Sequence, residues 1–194
     1  MRARPARGGR ILIGVTGTPA AGKSTFAASL SRATGIKSIE INSVLESSHS
    51  FYWKSKDGEK VARLKPLGKR LAAMTEGADA ILVGHLAQEL DLEYDCMIVV
   101  RAGIPVLAKR MGSRRYGLAK IRENLACEAV DCCAPRLPRL AGRVFEVETK
   151  AEKAEMIRAV VLGSWRAGVR GLRVQKNKMP EFEAFIRKHR YMGL

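Results

Sequence analysis

A glycine-rich segment near the N-terminus carries the residue types that bind a chain of phosphates. It reads Gly17-Thr18-Pro19-Ala20-Ala21-Gly22-Lys23-Ser24 and matches the pattern G-x-x-x-x-G-K-[S/T]. In such a loop, main-chain N–H groups and the positive end of the following helix point toward one anion. Lys23 would reach the outer phosphates, Ser24 would coordinate Mg²⁺, and Thr25 would bind the next phosphate inward. The motif therefore predicts a site for a nucleoside triphosphate and Mg²⁺.

The residues around this loop predict the elements that must hold it. Residues 11–15 form a short apolar run typical of a buried strand, and residues 26–30 begin a helix. Gly17 and Gly22 supply the backbone freedom of a tight turn, whereas Ala20 fits only if its φ angle is negative. The alternative, a chance match at a Gly/Ala-rich helix entry, does not require this order of strand, loop and helix.

Beyond the loop, short apolar runs alternate with helical patterns. A helix start at Asn42-Ser43 leads into an irregular insertion around residues 51–53 and an Asp57-Gly58 turn. Further strands are predicted at 37–41, 80–83, 97–100 and 144–147, and helices at 67–74, 105–111 and 118–130. This alternation predicts an α/β fold in which helices cover both faces of a parallel sheet, and ligands bind at the carboxyl ends of the strands.

Length and charge limit the possible classes of protein. The 194 residues suggest one domain with a sizeable core and appendages. The formal net charge of +16 favours a polyanionic partner such as RNA, although basic solubility is an alternative. No apolar run approaches the roughly 20 residues of a membrane span, and residues 1–10 lack the apolar region of a secretory signal. We therefore expect a cytoplasmic protein without membrane contact.

Four cysteines, Cys96, Cys127, Cys132 and Cys133, raise the question of a metal site. They form no C-x-x-C pair and have no companion histidines, so the pattern disfavours metal binding. Cys96 opens an apolar strand and Cys127 lies in a helical pattern, which favours packing roles. We expect reduced thiols.

A cationic segment between residues 101 and 124 predicts a lid over the phosphates. Phosphoryl transfer depends on positioning and charge neutralisation, so arginines over the transferring phosphate would act without a strong base. The alternative is a solvated helix face. An Asn-Lys-x-Asp motif, which a GTPase would need, is absent from the sequence. The cations surround Gly112, Tyr116 and Gly117 and comprise Arg101, Lys109, Arg110, Arg114, Arg115, Lys120 and Arg122.

These motifs together resemble those of a known family. The pattern Arg110-x-x-x-Arg114-x-Tyr116, followed by Lys120-Ile121-Arg122-Glu123-Asn124, with Gly84-His85 after a strand, is similar to small adenylate kinase-like ATPases linked to ribosome maturation. The resemblance covers about residues 11–149, and archaeal members look most similar. It implies the P-loop fold of nucleoside monophosphate kinases, with ATP and Mg²⁺ as cofactors. It also implies broad-specificity monophosphate kinase and ATPase activity, and a role in late maturation of the small ribosomal subunit beside a ribosomal protein and rRNA.

The resemblance also assigns roles to residues. It implies that Lys23, Arg114 and His85 are catalytic, that residues 39–61 bind the monophosphate, and that residues 113–123 form the lid. Val83 stands where the family has the acid of an acidic-x-His motif, and Arg115 replaces a lid glycine. The nucleotide-binding residues implied are Gly17, Ala20, Gly22, Lys23, Ser24, Thr25 and Arg114, with Ser24 as the metal ligand.

Basic segments flank the kinase-like core of residues 11–149. Residues 1–10 form an N-terminal extension and residues 150–194 a helical C-terminal one. Phe182 and Phe185 would either stack on RNA bases or pack a helix onto its own protein. The basic residues of the two extensions include Arg2, Arg4, Arg7, Arg10, Arg166, Arg170, Arg173, Lys176, Lys178, Arg187, Lys188 and Arg190.

Three functions are compatible with these features. The first is a nucleoside monophosphate kinase with its lid above the phosphates. The second is an assembly ATPase with little kinase activity, in which slow hydrolysis moves the lid and releases a ribosomal partner. The third is a P-loop kinase of another small metabolite, such as a sugar acid or shikimate, which shares the loop but not the acceptor site.

Overall fold

A parallel five-stranded sheet lies at the centre of the computed structural model, which describes residues 10–56, 58, 60–132, 137, 141, 143–168 and 178–189. In chain order the strands are β1 (Leu12–Thr16), β2 (Lys37–Glu40), β3 (Tyr52–Lys54), β4 (Lys60–Ala62), β5 (Ala80–Val83), β6 (Cys96–Val100) and β7 (Val144–Val147). The sheet order is β2-β5-β1-β6-β7, and each pair of neighbours is parallel. The strands β3 and β4 form a separate antiparallel pair.

Helices follow most of these strands. They are α1 (Lys23–Thr34), α2 (Ile41–Glu46), α3 (Leu64–Met74), α4 (Ile104–Ser113), α5 (Leu118–Ala129), α6 (Lys150–Val161) and α7 (Met179–Lys188). The helix α3 begins three residues before its predicted start. Among the described residues, no helix combines the length and apolar character that crossing a membrane requires.

Two apolar clusters fill the space between the sheet and the helices. Every residue of β1, β5 and β6 is buried, as the continuous apolar runs indicate. Alternate residues of β1 point to opposite faces, so Ile13 joins one cluster and Leu12 the other. The Ile13 cluster contains Phe26 of α1 and Leu125 of α5, and the Leu12 cluster contains Leu71 of α3. The predicted parallel α/β fold with helices on both faces is confirmed.

The insertion after α2 is more regular than predicted. In place of an irregular stretch, β3 and β4 form a hairpin in which Tyr52 lies opposite Ala62. Tyr52 is buried, and Arg63 donates its N–H to the Phe51 oxygen at 2.7 Å, which closes the base of the hairpin. The prediction of a turn at Asp57 falls on a residue outside the described ones, whereas Gly58 has a φ of 80°.

The two helices after residue 149 contribute side chains to the central core. Met156 of α6, Phe185 of α7 and Trp165, which lies between the two helices, join the buried cluster that contains Ile13. Packing is therefore the role of Phe185, the second of the two alternatives for the aromatic pair. Lys178, predicted to belong to a basic tail, is only 5% exposed.

Parts of the two predicted extensions lie outside the residues that the structure describes. The domain limits at residues 10 and 149 stay predictions. The basic residues of the two extensions that lie outside the described part of the chain are Arg2, Arg4, Arg7, Arg170, Arg173, Lys176 and Arg190.

The expectation of reduced thiols was wrong for one pair of cysteines. Cys127 and Cys132 form a disulfide at the end of α5. The Cys132 N–H donates to the Cys127 oxygen at 3.1 Å, and this turn brings the two Cα atoms to 5.3 Å. Cys96 is a free, buried thiol whose pKa is raised by burial and, secondarily, by the charge of Asp95. Cys133 lies outside the described residues.

Truncation of Phe185 tests the packing of α7. We expect Phe185→Ala to lower the free energy of unfolding by about 3–5 kcal/mol, because a large buried side chain leaves a cavity. Urea denaturation measures this change. Phe182→Ala is the matched control, since Phe182 is only partly buried and should cost less. Equal and small losses for both variants would contradict the packing of α7 described here.

Candidate phosphate-binding site

The loop between β1 and α1 adopts a conformation that depends on glycine at two positions. Gly17 has a φ of 133° and Gly22, the residue before α1, a φ of 103°. A Cβ atom on Gly17 would lie 2.2 Å from the main-chain oxygen of Val100, so no other residue fits against the end of β6. The predicted role of both glycines in this tight loop is confirmed.

Two non-glycine residues adopt the left-handed conformation in this region. Ala20 has a φ of 67°, so the expectation of a negative φ was wrong. Arg115, which replaces the lid glycine, has a φ of 57°. Each residue pays a steric penalty that glycine would avoid. Surrounding contacts must therefore hold the loop and the lid turn in these conformations.

Two cations bind the main-chain oxygens of the loop. Lys23 Nζ donates to the oxygens of Gly17 and Thr18 at 2.8 and 2.9 Å. Arg110 Nη1, from α4, donates to the oxygens of Ala20 and Ala21 at 3.1 and 3.2 Å. The Arg110 contacts fasten the strained residue of the loop from outside. The contacts of Lys23 keep its ammonium group within the loop.

The loop, Arg110 and Arg114 line one cavity of about 470 Å³. Its lining includes four of the predicted residues, Ala20, Gly22, Thr25 and Arg114, whereas Gly17, Lys23 and Ser24 do not line it. The residues of this cavity that sequence analysis did not assign to the site are Ala21, Phe26, Ser29 and Arg110 and, from α6, Lys150, Lys153, Ala154 and Ile157.

The general position of ligand sites in parallel sheets predicts that the start of α6 lines the cavity. Lys150 follows β7 closely, and the carboxyl ends of parallel strands are where ligands bind. Arg110 was recognised as a member of the cationic segment, but its contact with the loop carbonyls was not predicted. Four cationic side chains therefore surround the cavity: Arg110, Arg114, Lys150 and Lys153.

His85 lies at the carboxyl end of β5, beside the loop. Gly84 donates its N–H to the Val15 oxygen at 3.0 Å, which joins the ends of β5 and β1. The His85 side chain is exposed at this edge and does not line the cavity.

The pKa of His85 is lowered from its ordinary value of 6.5. The surrounding protein atoms disfavour the charged ring most, and the positive charges of Lys23 and Lys120 add to the effect. A neutral ring can accept a hydrogen bond from water, which fits a role in orienting a nucleophile.

The described residues offer few ligands for Mg²⁺, so the phosphates of the nucleotide would have to provide most of its coordination. Ser24 is exposed at the start of α1, and Val83 is fully buried in β5 and has no side-chain oxygen. Among the described residues, no cluster of three His, Cys, Asp or Glu side chains could hold a metal ion. Mg²⁺ commonly keeps several waters and binds through substrate phosphates, so a single hydroxyl ligand fits an ion that arrives with ATP.

Comparisons with known proteins agree with this geometry. Residues 13–131 match the AAA domain family. A protein of Methanosarcina barkeri named "Putative adenylate kinase" is 31% identical over 149 residues, which cover 75% of this chain and 80% of the relative. A protein of the same name from Archaeoglobus fulgidus is 30% identical over 186 residues, which cover 92% and 99%. The chain belongs to this adenylate kinase-like family of P-loop proteins.

A solved structure shares the fold of this family. Shikimate kinase from Bacteroides thetaiotaomicron superposes with a TM-score of 0.51 at 16% identity, over 77% of this chain and 95% of that one. The expected P-loop kinase fold is therefore confirmed.

Replacing Arg115 by glycine tests the strain in the lid turn. We expect Arg115→Gly to raise the free energy of unfolding by about 0.5–1 kcal/mol, because the relieved left-handed strain exceeds the entropy that glycine loses on folding. Arg114→Gly is the matched control, since Arg114 has a φ of −89° and the same change should destabilise. Chemical denaturation of both variants measures the difference, and a loss of stability in Arg115→Gly would refute the assignment of strain.

The electrostatic environment of His85 can be tested by NMR titration. We expect Lys120→Gln to raise the pKa of His85 toward 6.5, because one neighbouring positive charge is removed. As the pH falls, His85 of the wild type is protonated in the unfolded chain at a higher pH than in the folded protein. Protonation therefore lowers the free energy of unfolding between pH 6.5 and the folded-state pKa. Lys188→Gln, on α7, is the matched control, since Lys188 is not one of the charges that lower the pKa of His85. If the pKa of His85 is the same in Lys120→Gln as in the wild type, Lys120 does not act on His85.

Proposed function

We propose that this chain is a broad-specificity nucleoside monophosphate kinase that converts ATP and AMP into two ADP and also hydrolyses ATP. The observation that supports this most is the shared cavity of the phosphate loop and Arg114, with Arg110 fastened to the loop. Positioning and charge neutralisation are what phosphoryl transfer requires. The names of the archaeal relatives support the same activity.

In this proposal the chain's own cations neutralise the transferring phosphoryl group. Lys23 leaves its carbonyl partners for the outer phosphates, and Arg114 approaches the same group from the lid. Ser24 would supply its hydroxyl oxygen to the Mg²⁺ that accompanies ATP. The neutral His85 orients the attacking oxygen, which belongs to the phosphate of the monophosphate in the kinase reaction and to water in hydrolysis. Residues 39–61, which include α2 and the β3–β4 hairpin, bind the monophosphate.

The nucleoside part of ATP is proposed to lie against α6. The cavity extends from the loop to Lys150, Lys153, Ala154 and Ile157, where apolar and cationic surfaces alternate. An apolar wall suits a base, and the lysines suit the inner phosphate and the sugar hydroxyls.

A second candidate is an assembly ATPase of the maturing small ribosomal subunit. The formal net charge of +16 favours this candidate, because such a charge binds polyanions and exceeds what a mononucleotide needs. Exposed cations such as Arg187 and Lys188 of α7 are available for rRNA or an acidic protein surface. In this role, hydrolysis would move the lid and release the partner.

One experiment separates these functions from a metabolite kinase. The purified chain is incubated with ATP, Mg²⁺ and a panel of monophosphates, shikimate and sugar acids, with and without small-subunit ribosomal material. Diphosphate formation from AMP alone supports the monophosphate kinase. Hydrolysis that appears only with ribosomal material supports the assembly ATPase. Phosphorylation of a metabolite, with no reaction on monophosphates, would overturn both.

Two substitutions test the roles of the cations. We expect Lys23→Ala to abolish phosphoryl transfer, and Arg114→Ala to lower the turnover rate by a factor on the order of 10² to 10³, because it removes charge stabilisation. Arg158→Ala is the matched control, since Arg158 is an exposed cation on α6 that does not line the cavity. Steady-state kinetics with AMP measure all three. Normal turnover in Arg114→Ala would exclude this arginine from the site.

A further inference from the structure

A cluster of charged side chains is buried beneath the phosphate loop. Glu128 of α5 is fully buried, Arg101 is 1% exposed, and Lys178 is 5% exposed. Asp131 and Glu148 complete the group, which we name the Glu128 cluster. Arg101 follows β6, Glu148 follows β7, and Lys178 precedes α7. Glu128 and Asp131 lie at the end of α5, so four separate segments meet under the loop.

The contacts within the Glu128 cluster include the loop itself. The hydroxyl of Thr18, the second residue of the glycine-rich motif, donates a hydrogen bond to Glu128 Oε2. The other oxygen of this carboxylate, Oε1, lies 3.4 Å from Arg101 Nε and 3.9 Å from Lys178 Nζ. The Glu128 carboxylate therefore faces the loop on one side and two cations on the other.

The cations of the cluster are held by further acceptors. Arg101 Nη1 donates to Asp131 Oδ1 at 2.9 Å, and Lys178 Nζ donates to Glu148 Oε1 at 2.5 Å. Lys178 also donates to the Ala102 oxygen at 2.9 Å. Burial raises the pKa of Glu128, whereas Arg101, Thr18 and Lys178 act in the opposite direction.

We propose that Glu128 is a positioning residue that sets the conformation of the phosphate loop through Thr18. Thr18 has two contacts that link the cluster to the proposed chemistry: its hydroxyl donates to Glu128, and its main-chain oxygen accepts from Lys23 Nζ at 2.9 Å. One residue thus joins the buried carboxylate to the ammonium group that serves the phosphates. This inference rests on the proposed function, because it concerns the binding of ATP by the same loop.

Stability alone is a weak reason for such a cluster. Burying an ion pair costs desolvation, and apolar replacements of similar volume are often neutral or stabilising. Asp131, which holds Arg101, also has a φ of 53°, a conformation that costs free energy in a non-glycine residue. Strain and buried charge concentrated beneath a ligand-binding loop are typical of residues that preorganise a site.

The experiment measures ATP binding and stability in the same variants of the full chain. Isothermal titration calorimetry with ATP and Mg²⁺ gives the dissociation constant, and thermal unfolding gives the stability. We expect Glu128→Gln and Thr18→Val each to weaken ATP binding roughly ten- to hundredfold, because the first removes the charge that strengthens the hydrogen bond and the second removes its donor. Thr18→Ser keeps the hydroxyl and should bind as the wild type does.

Two comparisons separate positioning from a merely structural role. Val160→Ala, in the core part of α6, should lower the melting temperature and leave ATP binding unchanged. The double variant of Glu128→Gln and Thr18→Val should bind no more weakly than the weaker single variant, because both act through one contact. This second comparison uses binding in folded protein only, so it holds even if Glu128→Gln is less stable.

The outcomes are distinct for the inference and for the proposed function. If Glu128→Gln and Thr18→Val both bind ATP with the affinity of the wild type, the inference is overturned and the proposed function stands. Multiplicative losses in the double variant, or weak binding by Thr18→Ser, would also overturn it. Absence of ATP binding by the wild-type chain would overturn the proposed function and this inference together.

Discussion

The central position of β1 in the sheet decides where the candidate site residues lie. β1 pairs in parallel with β5 and β6, so the carboxyl ends of three strands meet at one edge. The chain enters the phosphate loop from this edge, His85 follows β5, and Arg101 follows β6. Because the strands are parallel, the residues that follow them lie at the same edge of the sheet. His85 is exposed there beside the loop, whereas Arg101 is buried beneath it.

The loop keeps its conformation because neighbouring elements hold it from several sides. The Val100 oxygen packs so closely that only glycine fits at position 17. Arg110 binds two of the loop carbonyls from outside, and Glu128 binds the Thr18 hydroxyl from beneath. These contacts maintain Ala20 in the left-handed conformation that an alanine avoids on its own. The binding geometry is thus imposed by the fold around the loop.

The segment after residue 149 takes part in both the core and the site. Phe185 and Trp165 fill the central cluster, while Lys150 and Lys153 line the cavity beside the loop. Lys178 enters the Glu128 cluster and pairs with Glu148, so its charge is used inside the protein. The net charge therefore overestimates the number of cations on the surface that a polyanion can contact. The exposed cations that remain, such as Arg187, are the ones to weigh for rRNA.

The sequence by itself determined the phosphate loop, the parallel sheet and the cationic segment that holds Arg114. These features depend on local patterns, namely a motif within eight residues and apolar runs with the period of buried strands. Only the tertiary structure decided the positive φ of Ala20, the burial of Lys178 and the α6 side of the cavity. The physical reason is separation along the chain: Arg110 contacts Ala20 across 90 residues, and Glu128 contacts Thr18 across 110.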